Sequence, residues 1–272
     1  MKYTELGQTG IEVSRLTFGC WELGGGMWAK ADDEVNIKLM QTAFNKGVTS
    51  FDTAEGYGAG HSEKIVGLAL EGKRKECVLA TKVSKEHLRP DDLRRAVEHS
   101  LRRLRTDFLD IYYVHWPNPE IPVQITMTEM NKLKEEGIIR AIGVSNFSLP
   151  LLQEAQEYAR VDVIQPEYSL LHRDIEAELL PYCRKHPIAV MSYSSIAKGI
   201  LTGAFHFGNA KLQEGDFRRT RRFFLPEHLE KEKELLILMR TMAEANGVSI
   251  SQVAIGWLLS RPGLTSAIVG TQ

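Results

Sequence analysis

Four polar side chains recur in this chain at intervals of about thirty residues, the length of a repeated strand-helix unit. Asp52 ends the run Val48-Thr49-Ser50-Phe51, and Lys82 ends Cys77-Val78-Leu79-Ala80-Thr81. His115 ends Ile111-Tyr112-Tyr113-Val114, and Asn146 closely follows Ile142-Gly143-Val144. Together they are an acid, a base, an imidazole and an amide. Tyr57, in the Gly-rich loop after Asp52, adds a phenol. The strand leading to Lys82 is apolar, so its ammonium needs a partner, and Asp52 on the neighbouring strand is the natural one. A free Tyr titrates near pH 10, and a cation beside it favours the phenolate. Asp52 and Lys82 are therefore expected to give a Tyr57 that releases its proton near neutral pH. Such a phenol is a general acid for carbonyl reduction, or a base for the reverse oxidation. His115 can orient the carbonyl by a hydrogen bond. None of these groups is a strong nucleophile, so another event, such as hydride addition, must generate the charge that the proton meets.

A common rim requires that each polar residue occupy the same phase of its unit. The segments between them have helical periodicity. Asp32 or Asp33 caps a helix with apolar positions Val35, Leu39, Ala43 and Phe44, and Gly47 ends it. Strands are expected at 16–19, 49–52, 78–82, 110–115, 139–144, 161–165, 189–193 and 265–269. Helices are expected between them, with two in sequence, 226–246 and 249–260, before the last strand. Residues 3–13 form an expected hairpin under the barrel, and 203–226 a long basic insertion. Strict strand-helix alternation means a parallel sheet. A doubly wound nucleotide fold would carry GxGxxG straight after its first strand, where this chain has Cys20-Trp21-Glu22-Leu23-Gly24-Gly25-Gly26. The expected fold is α/β, a (β/α)8 TIM barrel, as one domain over residues 1–272. Active sites of such barrels sit at the carboxyl ends of the strands.

The net charge of -1 gives no reason to expect nucleic acid or an anionic membrane as partner. Hydrophobic residues make up 43% and charged residues 25%, ordinary for a globular enzyme. The three cysteines are far apart and form no CxxC, so they read as free thiols of a reducing compartment. No signal-peptide core or spanning segment is visible, and a cytoplasmic protein, monomeric or weakly self-associating, is expected.

The segments Phe51-Asp52-Thr53-Ala54-Glu55-Gly56-Tyr57-Gly58, Thr81-Lys82, Val114-His115-Trp116 and Gly143-Val144-Ser145-Asn146-Phe147 resemble the signature segments of the aldo-keto reductases. HWPNPEIP and SYSSIAKGILTG are similar to the bacterial branch. The resemblance runs from Tyr3 to Gly270. It implies a barrel that reduces aldehydes and ketones with a nicotinamide cofactor, usually NADPH in this family, with NADH left open by the sequence. It implies Tyr57 as proton donor, Lys82 and Asp52 as its tuning pair, and His115 as the group positioning the substrate carbonyl. Ser145, Asn146 and Gln165 would hold the nicotinamide carboxamide, and Tyr193 would stack on the ring. Ser194, Ser195, Ile196, Lys198 and Gly199 would run along the diphosphate, with Cys20, Trp21, Asp52, Gly270 and Thr271 as further cofactor contacts. Many members have Pro where this chain has Ser195, whose hydroxyl is expected near the phosphates. Trp21, Trp28 and Trp116, with Tyr57 and His115, are candidates for the substrate pocket. The run Phe217-Arg218-Arg219-Thr220-Arg221-Arg222 follows the seventh strand and is a candidate cofactor lid.

Other chemistries fit less well. Asp52, His61 and His115 suggest a metal, but there is no HxH pair after the first strand and Lys82 would compete for the carboxylate. No metal is expected. Gly143-Val144-Ser145-Asn146 resembles a nucleophile elbow, but Phe147 replaces its second glycine. Some family members are cofactor-binding regulatory or sensor subunits and keep the tetrad, so that reading stays open. Only Gly270, Thr271 and Gln272 follow the last strand, so an eighth helix is expected beyond the given chain. Outward-facing apolar residues of the first and last strands are then expected to be exposed. A longer chain, carrying that helix and much of the adenosine clamp, is the expected explanation, a packing partner the alternative.

Overall fold

The structure is a computed structural model that describes residues 1–25, 32–208, 210–212, 214 and 216–270. A hairpin of β1 (Tyr3–Glu5) and β2 (Glu12–Ser14) precedes a closed barrel. The barrel strands are β3 (Leu16–Gly19), β4 (Ser50–Asp52), β5 (Val78–Val83), β6 (Leu109–Val114), β7 (Ile139–Ser145), β8 (Val163–Gln165), β9 (Ala189–Ser192) and β10 (Ser266–Val269). They pair in parallel in chain order, and β10 closes on β3 through Ile268 opposite Thr17. This is the (β/α)8 TIM barrel. The helices are α1 (Asp33–Asn45), α2 (His61–Ala69), α3 (Pro90–Leu104), α4 (Val123–Glu135), α5 (Leu149–Gln156), α6 (Leu179–Lys185), α7 (Pro226–Asn246) and α8 (Ile250–Leu259).

Local chemistry sets the helix starts. Asp32 accepts from the Glu34 N–H at the head of α1, and Ser249 with Gln252 forms a capping box on α8. Pro90 and Pro226 occupy first helical positions, where their missing N–H costs nothing. The expected helix over 175–185 is instead a 3-10 turn, Asp174–Glu176, followed by the short α6. The run 217–224 forms two 3-10 turns that pack with α7 and α8 into a separate apolar cluster around Ile200, Leu201, Phe224 and Leu236.

Strand periodicity decides what faces inward. Val78, Ala80, Ile111, Tyr113, Ala141, Val163, Ala189, Met191 and Ile268 form the barrel interior, closed at the bottom by Leu6, Ile11 and Val13 of the hairpin. The residues of alternate parity join the layer between strands and helices. Continuing the inward parity up each strand reaches Asp52, Lys82, His115, Ser145, Gln165, Tyr193 and Gly270. The polar ring is thus the top layer of the same column of side chains. On the outward parity of β3 and β10, Phe18 and Ala267 are buried, and Leu16 and Val269 half-buried. The exposure expected on that face is confined to the latter two, because neighbouring elements already cover the rest.

Gly143 faces Tyr113 across the β6–β7 register. A Cβ there would lie 2.3 Å from the Tyr113 ring. Gly143→Ala is expected to destabilise the barrel by about 1–3 kcal/mol, the usual range for overpacking. Chemical denaturation with an unchanged midpoint would show that the ring yields without cost.

Candidate active site

Lys82 is fully buried at the top of β5, above an apolar interior. Its ammonium donates to Asp52 Oδ1 at 2.5 Å, to the Thr53 carbonyl at 2.8 Å and to the Tyr57 hydroxyl at 3.4 Å. Gln165, from β8 across the barrel, donates to the second Asp52 oxygen at 2.8 Å. The carboxylate is therefore held from both sides and the lysine is locked under the phenol. The Tyr57 ring meets the His115 ring edge-on, with centroids 5.7 Å apart. The barrel brings the four residues of the expected tetrad together.

Enclosure presses the Lys82 ammonium towards its neutral form, but Asp52 and Tyr57 more than offset it, and the group is held above its ordinary value. Burial, with Lys82 adding to it, takes His115 down to about 3, so its imidazole is neutral at neutral pH. Tyr57 corrects the expectation from sequence. Burial of the hydroxyl is the largest effect and raises it; Lys82 opposes this but does not win, and the phenol lies above its ordinary value. A Tyr57 that releases its proton near neutral pH is not what this enclosure produces. It is a phenol that stays protonated beside a fixed cation.

The Ser145 hydroxyl donates to the Gln165 carbonyl at 2.8 Å. Asn146, in left-handed backbone with φ 62°, donates to the His115 carbonyl at 2.9 Å and accepts from the Tyr193 hydroxyl at 2.8 Å. Asn tolerates that conformation better than most residues. The expected trio and Tyr193 thus form one connected patch beside the tetrad. Ser194, Ala197, Lys198 and Gly199 also have positive φ, so the segment after β9 is irregular and kinked. Ile196 lies within that segment. Lys198 pairs with Glu167 at 2.8 Å, and Arg218 reaches the Lys198 carbonyl at 3.4 Å while gripping Asp216. The resemblance puts the Ser195 hydroxyl near the phosphates. It is buried and turned back on Ser192, 3.0 Å from its Oγ and 3.1 Å from its carbonyl.

Trp21 stands between Tyr57, at 6.2 Å, and Phe217 of the basic run, at 5.3 Å. Trp116 is on the rim after His115 and 49% exposed. Trp28 and Thr271 lie outside the described residues. Cys20 is buried, and its thiol is pushed well above its ordinary value by burial and then by Asp52 and Glu22, which leaves a poor nucleophile. Sequence reasoning passed over Glu22, a half-buried carboxylate beside Gly270, and the Gln165–Asp52 bond. Only the inward parity of Gln165 hinted at the latter. His61 pairs with Asp33, not with the tetrad, and the described residues hold no cluster of three or more His, Cys, Asp or Glu that suits a metal ion. No helix among them is long and apolar enough to cross a membrane.

The chain matches the pattern of the Aldo/keto reductase family over residues 15–272. It is 37% identical over 288 residues to the aldo-keto reductase YhdN of Bacillus subtilis (strain 168), covering 100% of this chain and 85% of that protein. It is 34% identical over 294 residues to an NADH-specific methylglyoxal reductase of Escherichia coli (strain K12), covering 99% and 89%. An aldo/keto reductase from Klebsiella pneumoniae, solved with NADP and acetate, superposes with a TM-score of 0.79 at 32% identity, over 100% of this chain and 86% of that one. Fold, motifs and relatives agree, and the chain belongs to the aldo-keto reductase family of oxidoreductases, on its bacterial branch.

Proposed function

We infer that this chain reduces an aldehyde or ketone to the alcohol, with NADPH preferred over NADH. The observation that carries the reading is Lys82, an ammonium fully buried over an apolar barrel and bonded to both a carboxylate and a phenol. Burying a charge is costly and packing alone would not require it. Fixed beside a developing alkoxide, it supplies electrostatic stabilisation that needs no reorganisation.

A reduced nicotinamide, when bound, supplies the hydride. The residues fit it at two points. Ser145 Oγ and Asn146 Oδ1 keep lone pairs after their internal bonds, which suits the NH2 of a carboxamide. The segment 194–199, with its run of left-handed residues and the cations of Lys198 and Arg218, suits an anionic diphosphate. The chain's own residues do the rest. Neutral His115 holds the substrate carbonyl oxygen by a hydrogen bond. Tyr57 gives its proton to that oxygen as negative charge grows there. Lys82 stabilises the phenolate that remains, and Asp52, braced by Gln165, keeps Lys82 in place. Trp21 and Phe217 exclude water on one side, with the basic run as a lid and Trp21 and Trp116 as pocket walls.

The test is the decay of reduced-nicotinamide absorbance with a panel of aldehydes and ketones and both cofactors. Methylglyoxal belongs in the panel because the relative from E. coli is named for it. Tight cofactor binding with no turnover of any carbonyl would favour a sensor role instead. A smaller prediction concerns Tyr193, whose hydroxyl bond to Asn146 presets the ring. Tyr193→Ala should weaken cofactor binding by about 0.5–1.5 kcal/mol beyond the lost contact area, the range for aromatic stacking. An unchanged dissociation constant in fluorescence titration would remove Tyr193 from the cofactor site.

A further inference from the structure

Glu22 opens the 3-10 turn Glu22–Gly24 directly after Trp21, and the scheme above gives it no part. Its carboxylate lies against the backbone at the end of β10: a Cβ at Gly270 would sit 2.3 Å from both of its oxygens. That places a negative charge on the arc of the rim formed by the ends of β3, β10 and β9. The same arc holds the left-handed 194–199 segment and the guanidinium of Arg218. Burial pushes the Glu22 carboxyl up to about 7, against the pull of its own backbone N–H and of Arg218.

Among the described residues, the charged and titratable groups around it are Arg218, Cys20, Tyr57, the Asp52–Lys82 pair and His115. Arg218 comes from the loop after β9, pairs with Asp216 and favours the Glu22 carboxylate through its charge. Cys20 and Tyr57 both feel the Glu22 charge and hold their protons more firmly for it. Asp52 and Lys82 form a closed pair beneath them. His115 stays neutral near pH 7. A diphosphate lying along this arc would compete with Glu22 for Arg218 and set its own negative charge beside the carboxylate. Both effects favour the protonated acid.

We propose that Glu22 couples dinucleotide binding to the uptake of one proton, the carboxylate becoming the neutral acid as the diphosphate docks. The proton comes from solvent and no covalent bond to the cofactor changes. The inference rests on the cofactor reading above. Its sign follows from linkage: a group that gains a proton on binding makes binding strongest below its free-state pKa and weaker above it.

NADH is the proper probe, because the phosphate monoester of NADPH itself titrates near pH 6. The dissociation constant of the full chain for NADH is expected to rise about tenfold between pH 6 and pH 8, the effect of one linked proton. In Glu22→Gln it should stay level across that range and match the parent at pH 6. Glu22→Ala, with circular dichroism on both variants, guards against a folding defect of the first. Calorimetry at pH 8 in two buffers of different ionisation enthalpy should show uptake approaching one proton in the parent and its loss in either variant. A level parent profile, or the same slope in parent and variants, would overturn the role of Glu22 alone. A parent that binds neither NADH nor NADPH at any pH would overturn the cofactor reading beneath it.

Discussion

Tyr57→Phe is expected to bind reduced nicotinamide almost as the parent does and to lose about a hundred- to ten-thousand-fold in carbonyl reduction, the span of a general acid's contribution. The expectation follows from position: the hydroxyl is 3.4 Å from the Lys82 ammonium, and the ring packs against His115 and Trp21 through carbon atoms that Phe retains. The variant therefore keeps the packing and loses only the proton. The pH profile carries a second signature. Burial holds the phenol above its ordinary value, so the acid form persists through neutral pH and reduction should not fall on that account until the solution is strongly alkaline. Alcohol oxidation needs the phenolate and should rise with pH over the same range. His115, taken down to about 3, adds no limb near neutrality. Single-turnover rates from pre-bound cofactor isolate this step from cofactor binding. A Phe variant that reduces a simple aldehyde near the parent rate would remove Tyr57 as the donor.

Lys82→Met should cost both activity and stability. Removing one member of a buried ion pair leaves the other uncompensated, at a cost of about 3–5 kcal/mol. Here the stranded group is Asp52, which among the described residues keeps the Gln165 amide on its second oxygen. Activity should fall with Tyr57→Phe, since the phenolate left after proton transfer loses its counter-charge. The two losses can be separated. Adding Asp52→Asn to Lys82→Met removes the stranded charge and should restore part of the denaturation midpoint without restoring turnover. Turnover that returned with stability would reduce Lys82 to a structural residue. A single variant as stable as the parent would mean that water or a shifted proton already relieves Asp52.

Much of the barrel is written in local pattern. Apolar runs of four to six residues, broken by Gly47, Gly137 and capped helices, place every barrel strand within a few residues of where it lies. Errors fall where the signal is weak. Around 174–185 the chain makes a short 3-10 turn and breaks at Ala177 and Glu178 before α6, and helical propensity alone does not reveal the break. The site was legible for a related reason. Strand periodicity is two, so a polar residue on the inward parity at the end of a strand must stand on the rim. Asp52, Lys82, His115, Ser145 and Gln165 all obey that rule.

Three features could not be read that way, because each depends on residues distant in sequence that meet only in the closed barrel. Whether Tyr57 sits above or below its ordinary pKa is a contest between enclosure and Lys82, and only the packing of Trp21, His115 and their neighbours sets the enclosure. The Ser195 hydroxyl, expected near the phosphates, is instead bonded within the chain to Ser192. Glu22 has no sequence pattern to single it out, and closure of β10 on β3 sets it beside Gly270. Sequence by itself determined the elements, their parity and thus which side chains could share a rim, since those follow from local sterics and alternation. The tertiary structure decided how strongly each group is desolvated and which charge faces it, since solvation and Coulomb energies depend on distances that no local pattern encodes.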